Sequence, residues 1–203
     1  MLLDEPGEPR RRLASLEAPH MTPLEPVRAA LATAGRRVPF FNPADAGAAA
    51  RLLLLLETPG PDRRAGGEVL RFVSQDNRTP TGANLRRFLH AGGIDRCDLL
   101  IWNVVPWIVH PPGTRNRAVT TAECREGIAA LPLLLASLPR LQVVVLAGRS
   151  AAAAEPVVRT ARPSVAVMTM PHPSPVICCT DPAIPRRIEG VLRRAAATLR
   201  AAR

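Results

Sequence analysis

Four residues that could do chemistry follow four apolar runs in this sequence. They are an acid, an amide, a glycine and an imidazole: Glu57, Asn103, Gly148 and His172. If the runs are parallel strands of one sheet, their carboxyl ends share an edge and these residues converge on one pocket. An acid, an amide and an imidazole together could read a polar heterocycle and stabilise charge on it. Each residue also has a structural interpretation, in which Glu57 caps a helix, Asn103 caps a turn and His172 closes a rigid turn between prolines.

The elements that would position these residues alternate between strands and helices. Strands are predicted at Arg51–Leu56, Leu99–Val105, Gln142–Leu146 and Val165–Met170. Helices are predicted at Thr81–His90, from about Thr120 to before Leu138, in the alanine-rich segment after Ser150 and at Pro182–Ala201. Five consecutive leucines without polar alternation are typical of a strand covered on both faces. The alternation predicts an α/β fold, a three-layer αβα sandwich with a four-stranded parallel sheet.

Two regions interrupt this regular pattern. Residues 1–44 are interrupted by prolines at positions 6, 9, 19, 23 and 26, and they are predicted to be a partly disordered N-terminal extension outside the core, with one helix at about Pro26–Gly35. The domain itself is predicted to span residues 45–203. Pro132 is expected to kink or split the helix that begins near Thr120, and a long polar loop is expected from Glu57 to about Pro80.

The charge of the chain favours a nucleic-acid partner. The net charge is +10, and all 27 basic residues are arginines, which form bidentate contacts with phosphate. A GC-rich coding bias is an alternative reason for arginine over lysine, but it does not account for the excess of positive charge. No apolar run is long enough to span a membrane, and the N-terminus has no signal-peptide pattern. A cytoplasmic monomer is the expected state.

The four cysteines do not indicate a metal site. They are Cys97, Cys124, Cys178 and Cys179, without a CxxC pair. The four histidines are scattered along the chain, and Ser150 and Ser174 lack the context of a hydrolase nucleophile. We expect neither a metal nor another cofactor.

Short segments around the candidate residues resemble motifs of uracil-DNA glycosylases. Leu56-Glu57-Thr58-Pro59-Gly60 resembles their first motif, G-E-A-P-G, and His172-Pro173-Ser174-Pro175 is similar to their second, H-P-S-P. The segment IWNVV around Asn103 resembles the strand whose asparagine reads uracil. The segment RFVS around Phe72 resembles the one whose phenylalanine stacks on the flipped base. The four elements occur in the family's order over about residues 51–196.

The resemblance implies the superfamily fold and removal of a base from DNA. It implies that Phe72 stacks on the extruded base and that Asn103 pairs with its polar edge. His172 would donate a hydrogen bond to the carbonyl oxygen that gains charge. Glu57 would position water or stabilise the sugar cation.

These implied roles agree with the chemistry of the reaction. Breaking an N-glycosidic bond builds negative charge on the base and positive charge on the sugar, so donors near the base and a carboxylate near the sugar both help. The target base must first leave the stack, which requires a pocket and contacts to phosphates. Ser174, the backbone amides of its turn and Arg149 are the candidate phosphate contacts.

The sequence also departs from the best-known branch of the family. Thr58 stands where that branch has a water-activating aspartate, and Gly60 stands where it has a tyrosine. Both differences suit the Glu-bearing branches, although the cysteine spacing does not support the iron–sulfur cluster that those branches often carry. Asp76 is an alternative water-positioning carboxylate, and its structural interpretation is a solvated loop acid.

The sequence therefore predicts a metal-independent glycosylase that hydrolyses the N-glycosidic bond of uracil in DNA by base flipping. One alternative is the same scaffold excising another deaminated base, hypoxanthine or xanthine. Another is a non-catalytic protein that binds damaged DNA, because Thr58 cannot act as a base.

Overall fold

The fold is built on one parallel sheet. A computed structural model describes residues 2–32, 35–61, 71–110, 113–114 and 116–202. The sheet contains β2 (Leu52–Leu56), β4 (Leu99–Asn103), β5 (Val143–Ala147) and β6 (Ala166–Met170), in the order β4-β2-β5-β6. All three pairings are parallel, which confirms the predicted four-stranded parallel sheet.

A small second pairing extends the structure beside the main sheet. It joins β1 (Phe40–Phe41) to β3 (Phe72–Val73), again in parallel. Phe41 stacks on Trp102 of β4, with ring centroids 3.7 Å apart. This contact fixes the small pair next to the strand that ends at Asn103.

Helices flank the sheet, as the α/β prediction requires. They are α1 (Glu8–Ala14), α2 (Glu25–Leu31), α3 (Pro80–Gly92), α4 (Thr121–Ala136), α5 (Arg149–Ala152), α6 (Glu155–Ala161), α7 (Pro175–Cys178) and α8 (Ala183–Ala201). Helices α3 and α8 pack on each other, and α8 also packs on β5 and β6. Helices α4 and α6 form a second packed pair.

The core is centred on the strands that the sequence identified. Every residue of β2, β4 and β5 is buried, because these strands are covered by other elements on both faces. Strand β6 lies at the edge and is only partly buried. The ends of β2, β4 and β5 are therefore held by a close-packed interior, which limits how far side chains just beyond them can move.

The expectation that residues 1–44 lie outside the core is wrong. Met21, Leu24, Val27 and Leu31 are buried in the same apolar cluster as the sheet. Both N-terminal helices begin with a proline in their first turn, where its missing N–H is not needed. The prolines therefore start helices in this segment, where they were interpreted as breaks. The proposed domain boundary near residue 44 stays a prediction.

Pro132 does not split the helix, since α4 continues through it to Ala136; the alternative that Pro132 kinks the helix stays a prediction. Leu131, Leu134 and Leu135 on its last turns are buried, so their packing compensates for the hydrogen bond that proline removes. The capping box at Thr120 and Glu123 is present. The centre of the predicted Glu57–Pro80 loop, residues 62–70, lies outside the described residues.

Candidate active site

The predicted candidate residues do meet at one edge of the sheet. Leu56 is in register with Asn103, and the Gly148 N–H donates to the carbonyl of Met170 at 2.9 Å. Glu57 follows Leu56 directly, and His172 lies two residues beyond Met170. Because the strands are parallel, all four residues lie at their carboxyl ends, where ligands bind in open α/β sheets.

Glu57 is half-buried and is held by a hydrogen bond that the sequence analysis did not foresee. The hydroxyl of Ser150 donates to its Oε2 at 2.6 Å, a distance typical of a hydroxyl on an ionised carboxylate. Among the described residues, Oε1 has no hydrogen-bond partner. One oxygen is therefore anchored and the other is available to a ligand or to water.

Ser150 is the main site residue that the sequence does not identify, because its sequence context bears only on a role as a hydrolase nucleophile. Its position was informative, because it follows the end of β5 by three residues and so emerges at the same sheet edge as Glu57.

The imidazole of His172 is neutral and presents one N–H. The backbone N–H of Ser174 donates to Nδ1 at 3.2 Å, so Nδ1 is unprotonated and the proton is assigned to Nε2. Burial lowers the pKa of His172, and the charge of Glu57 opposes that shift only in part. At neutral pH the Nε2–H is thus a donor without a formal charge.

Gly148 lets His172 approach the end of β5 closely. Its φ is +86°, in the region that favours glycine, and a Cβ added there would lie 3.0 Å from the His172 Cβ. Both the backbone conformation and the close contact exclude a larger residue. Gly148 therefore fixes the position of the imidazole relative to the sheet.

Asn103, the last residue of β4, supplies a side-chain amide at the same edge of the sheet. The residue is 3% exposed, yet its side-chain amide has no hydrogen-bond partner among the described residues. Buried amides are normally paired. An unpaired amide whose tip still reaches solvent is suited to recognise a polar ligand.

Phe72 lies in the small β1–β3 pair, and β3 packs beside β4. It is buried, and its ring centroid is 5.7 Å from that of Phe40, with the planes tilted by 38°. The side-chain amide of Asn77 donates to the Phe72 carbonyl at 3.0 Å. These contacts fix the position of Phe72 within the small β1–β3 pair.

The two candidate phosphate contacts are both accessible in part. Arg149 begins α5 and is exposed, and it has no ion pair with another described residue. Ser174 precedes α7 and is half-buried. Its backbone N–H is already used by His172, so the hydroxyl is the group left for a phosphate.

Asp76 is not the solvated loop acid that its structural interpretation described. It is 4% exposed, and its carboxylate accepts from Arg96 at 2.6 and 3.1 Å and pairs with Arg12 at 2.7 Å. Burial by itself raises the pKa of Asp76, but the two guanidinium groups outweigh burial and hold it below its usual value. With both oxygens engaged by arginines, Asp76 has a structural role and is a poor water-positioning group.

Asp45 completes the buried cluster around Arg96. The Arg96 guanidinium donates to Asp45 Oδ1 at 2.7 Å, while Oδ2 has no partner among the described residues. Burial raises the pKa of Asp45 to about 7, against the opposing charge of Arg96. The cluster joins the N-terminal segment to the start of β4.

Two apolar side chains are exposed directly after the histidine turn. Val176 is 78% exposed and Ile177 is 36% exposed, both on the short helix α7. Both side chains are accessible at the rim of the site.

The described residues contain no group of three or more His, Cys, Asp or Glu side chains arranged to hold a metal ion. The cysteines are spread over the turn before β4, helix α4 and the end of α7. In the part of the chain that is described, no helix has the length and apolar character needed to cross a membrane.

Comparison with known proteins identifies the family to which the chain belongs. The family profile of the uracil DNA glycosylase superfamily matches residues 43–193, which is most of the chain. The protein belongs to the uracil-DNA glycosylase superfamily. No curated protein sequence matches it.

A solved structure shows the same fold. The crystal structure of wild-type SMUG2 from Pedobacter heparinus superposes with a TM-score of 0.51 and 12% sequence identity. The alignment covers 75% of this chain and 76% of that one. The similarity supports the α/β architecture of the sheet and helices.

Proposed function

We propose that this protein hydrolyses the N-glycosidic bond of uracil in DNA, after the base has been flipped out of the helix. The observation that carries the proposal is that a hydrogen-bond donor and a carboxylate lie at the same edge of the sheet. The imidazole of His172 and the carboxylate of Glu57 follow the ends of β6 and β2, and the charge of Glu57 acts on the pKa of the imidazole. Glycosidic cleavage needs a donor for the departing base and a carboxylate for the sugar.

His172 stabilises the leaving base. As the bond between C1′ and N1 breaks, its electron pair moves onto the base and negative charge develops on a carbonyl oxygen. The Nε2–H of His172 donates to that oxygen. The backbone N–H of Ser174 already donates to Nδ1. Moving the imidazole proton from Nε2 to Nδ1 would break that hydrogen bond, so the Nε2–H donor is preorganised.

Glu57 acts on the sugar side of the bond. Its carboxylate stabilises positive charge on the sugar, and its free oxygen accepts a proton from the water that adds to C1′. Ser150 holds the other oxygen in place. Thr58 cannot share this work, since its hydroxyl donates to the carbonyl of Trp107 at 3.2 Å.

Base recognition is assigned to Asn103 and Phe72. The side-chain amide of Asn103 presents a donor and an acceptor that match the adjacent carbonyl and N–H of uracil. Phe72 offers a ring for stacking, and such stacking contributes about 1–3 kcal/mol per base. Arg149 and Ser174 contact the phosphates next to the flipped nucleotide.

The test is base release from matched oligonucleotides that carry uracil, hypoxanthine or xanthine, as single strands and as duplexes. Alkaline cleavage at abasic sites gives the readout. We expect uracil release by the wild type, and a loss of kcat of about 10²–10³ in His172→Ala, as for removal of one oxyanion donor. Glu57→Gln should lose a comparable factor, since it keeps the shape of the side chain but removes its charge.

Matched variants control for non-specific effects. His90→Ala alters an exposed histidine at the end of α3, and Glu126→Gln alters an exposed acid on α4. Both should retain wild-type rates. Release of only a purine would keep the mechanism but change the substrate. Tight binding of damaged DNA without any base release would show a binding protein and overturn the proposed activity.

A further inference from the structure

A second cleft lies beside the candidate active site, on the outer side of β6. It has a volume of about 750 Å³ and is bounded by β6, the start of α5 and the first half of α8. Its floor is apolar and includes Met170 and Val191, both buried. Gly148 and Pro171 also line it, so the cleft continues from the residues that position His172.

The cleft is strongly cationic. Four arginines line it, Arg149, Arg186, Arg187 and Arg194, and none of the described lining residues is acidic. All four are exposed, and none has an ion pair or side-chain hydrogen bond to another described residue. By contrast Arg193, next to Arg194 but outside the lining, is paired with Glu189 at 2.8 Å.

One sequence choice on α8 costs helix stability and favours the cleft. Arg186 and Arg187 lie just beyond the first turn of this 19-residue helix and line the cleft. Gly190 lies inside the helix, where glycine is a poor former. A Cβ there would meet nothing closer than the Arg194 guanidinium, at 3.9 Å, so packing does not require the glycine. Such departures from local preference are expected at functional sites.

We propose that this cleft, which we call the β6–α8 groove, binds the sugar–phosphate backbone of the DNA strand that carries the target base. The inference rests on the proposed function, because it requires the flipped base to lie in the His172 pocket while the rest of its strand runs into the adjoining groove. Arg187 and Arg194 are seven residues apart, or roughly 10 Å along the helix axis. That length corresponds to about three nucleotides of B-form backbone. The groove thus holds phosphates beyond those that Arg149 and Ser174 contact.

The groove suits a phosphodiester chain better than an acidic peptide. Guanidinium groups bind phosphate in a bidentate manner, and the apolar floor accommodates the faces of sugars or splayed bases. Backbone contacts of this kind carry no sequence information. The groove should therefore raise affinity for any DNA and should leave base choice unchanged.

The experiment measures binding of a fluorescent undamaged single strand by anisotropy at several salt concentrations, which does not depend on catalysis. The test variant combines Arg186→Ala with Arg187→Ala. The matched control combines Arg140→Ala with Arg200→Ala, two exposed arginines at the opposite edge of the sheet. Loss of two single-strand phosphate contacts lowers the slope of log K against log salt by about 1.4 and raises Kd on the order of tenfold at 0.1 M salt.

We expect the test variant to show this lower salt slope and higher Kd. The control should change by less than half as much in both quantities. Equal changes in both would overturn the proposal, because they would reflect net charge alone. Competition by polyglutamate as effective as by DNA would also overturn it in favour of an acidic protein partner.

A second measurement separates this inference from the proposed function. If uracil is excised, the test variant should show a raised KM with unchanged kcat on a 20-nucleotide strand, and wild-type behaviour on a substrate with one flanking nucleotide on each side. An unchanged KM on the long strand would contradict the groove. Absence of excision by the wild type would refute the proposed activity and leave the binding measurement valid.

Discussion

Substitution of Gly148 by alanine tests whether the position of His172 controls catalysis. Alanine at φ +86° and ψ 174° occupies a region that is nearly exclusive to glycine, which costs about 1–3 kcal/mol. For a chain of this size that loss lowers Tm by roughly 2–10 °C. The new methyl group would also lie 3.0 Å from the His172 Cβ, whereas carbon atoms pack at about 3.5–4.0 Å.

The contact predicts a loss of activity beyond the loss of stability. His172 must move by about 0.5–1 Å to restore normal packing, and a misplacement of that size costs up to about 10²-fold in rate. We expect kcat for uracil release to fall by about 10- to 100-fold under conditions where circular dichroism shows a folded protein. KM should change much less, because the phosphate contacts are unaffected.

Gly93→Ala is the matched control. Gly93 also has a positive φ, +68°, but a Cβ there would meet nothing within 4 Å. It should therefore lose stability from backbone strain and keep wild-type kcat. The reasoning is refuted if Gly148→Ala is folded and fully active, or if both variants lose activity equally.

Three further predictions follow from individual contacts. Ser150→Ala removes a hydrogen bond to the Glu57 carboxylate, and hydrogen bonds to charged groups contribute about 1.5–3 kcal/mol. Single-turnover excision should therefore slow by about tenfold or more. An unchanged rate would exclude the anchoring role of Ser150. Burial raises the pKa of Asp45 from 3.8 to about 7, so between these pH values the folded state holds a proton that the unfolded chain releases. Stability should therefore fall as pH rises from about 4 to about 7. Melting curves should show a weaker pH dependence in Asp45→Asn, and an unaltered slope would refute this assignment. Val176→Ser should slow excision from duplex more than from single strands, because an exposed apolar side chain can wedge between stacked bases; equal effects on both substrates would argue against a wedge.

The sheet could be predicted from the sequence because its signal is local. Five consecutive leucines, LLIWN and VVVLA are each buried throughout, and uninterrupted apolar runs are what doubly covered strands require. Parallel pairing then brings the strand ends to one edge without further information. For this reason Glu57, Asn103 and His172 could be identified as neighbours from order alone.

The N-terminal segment could not be predicted, because its stability comes from distant partners. Leu24 and Val27 are buried against the sheet, and Arg12 pairs with Asp76, 64 positions along the chain. Nothing local indicates such contacts, whereas the prolines gave a strong local signal for breaks. In this segment Pro9 and Pro26 occupy first-turn positions of helices, where proline is favoured.

The contact between Ser150 and Glu57 shows the same limit at the site. Sequence order places both residues at one edge, but the 2.6 Å hydrogen bond depends on the turn at Gly148 and on side-chain conformations. Likewise Asn103 could be recognised as a candidate, whereas the lack of a hydrogen-bond partner for its amide among the residues that the structure describes is a property of the assembled pocket.

The buried cluster of Arg12, Asp45, Asp76 and Arg96 also sets the order in which the domain can mature during synthesis. Residue 12 leaves the ribosome long before Arg96, so helix α1 has no complete set of partners until almost half of the chain has been made. At about 5–20 residues per second, that interval lasts roughly 4–17 s. During this time the apolar side chains of α2 lack the sheet against which they pack. The N-terminal segment therefore lacks its partners while the residues between it and Arg96 are made, and during that interval it is open to chaperones and proteases.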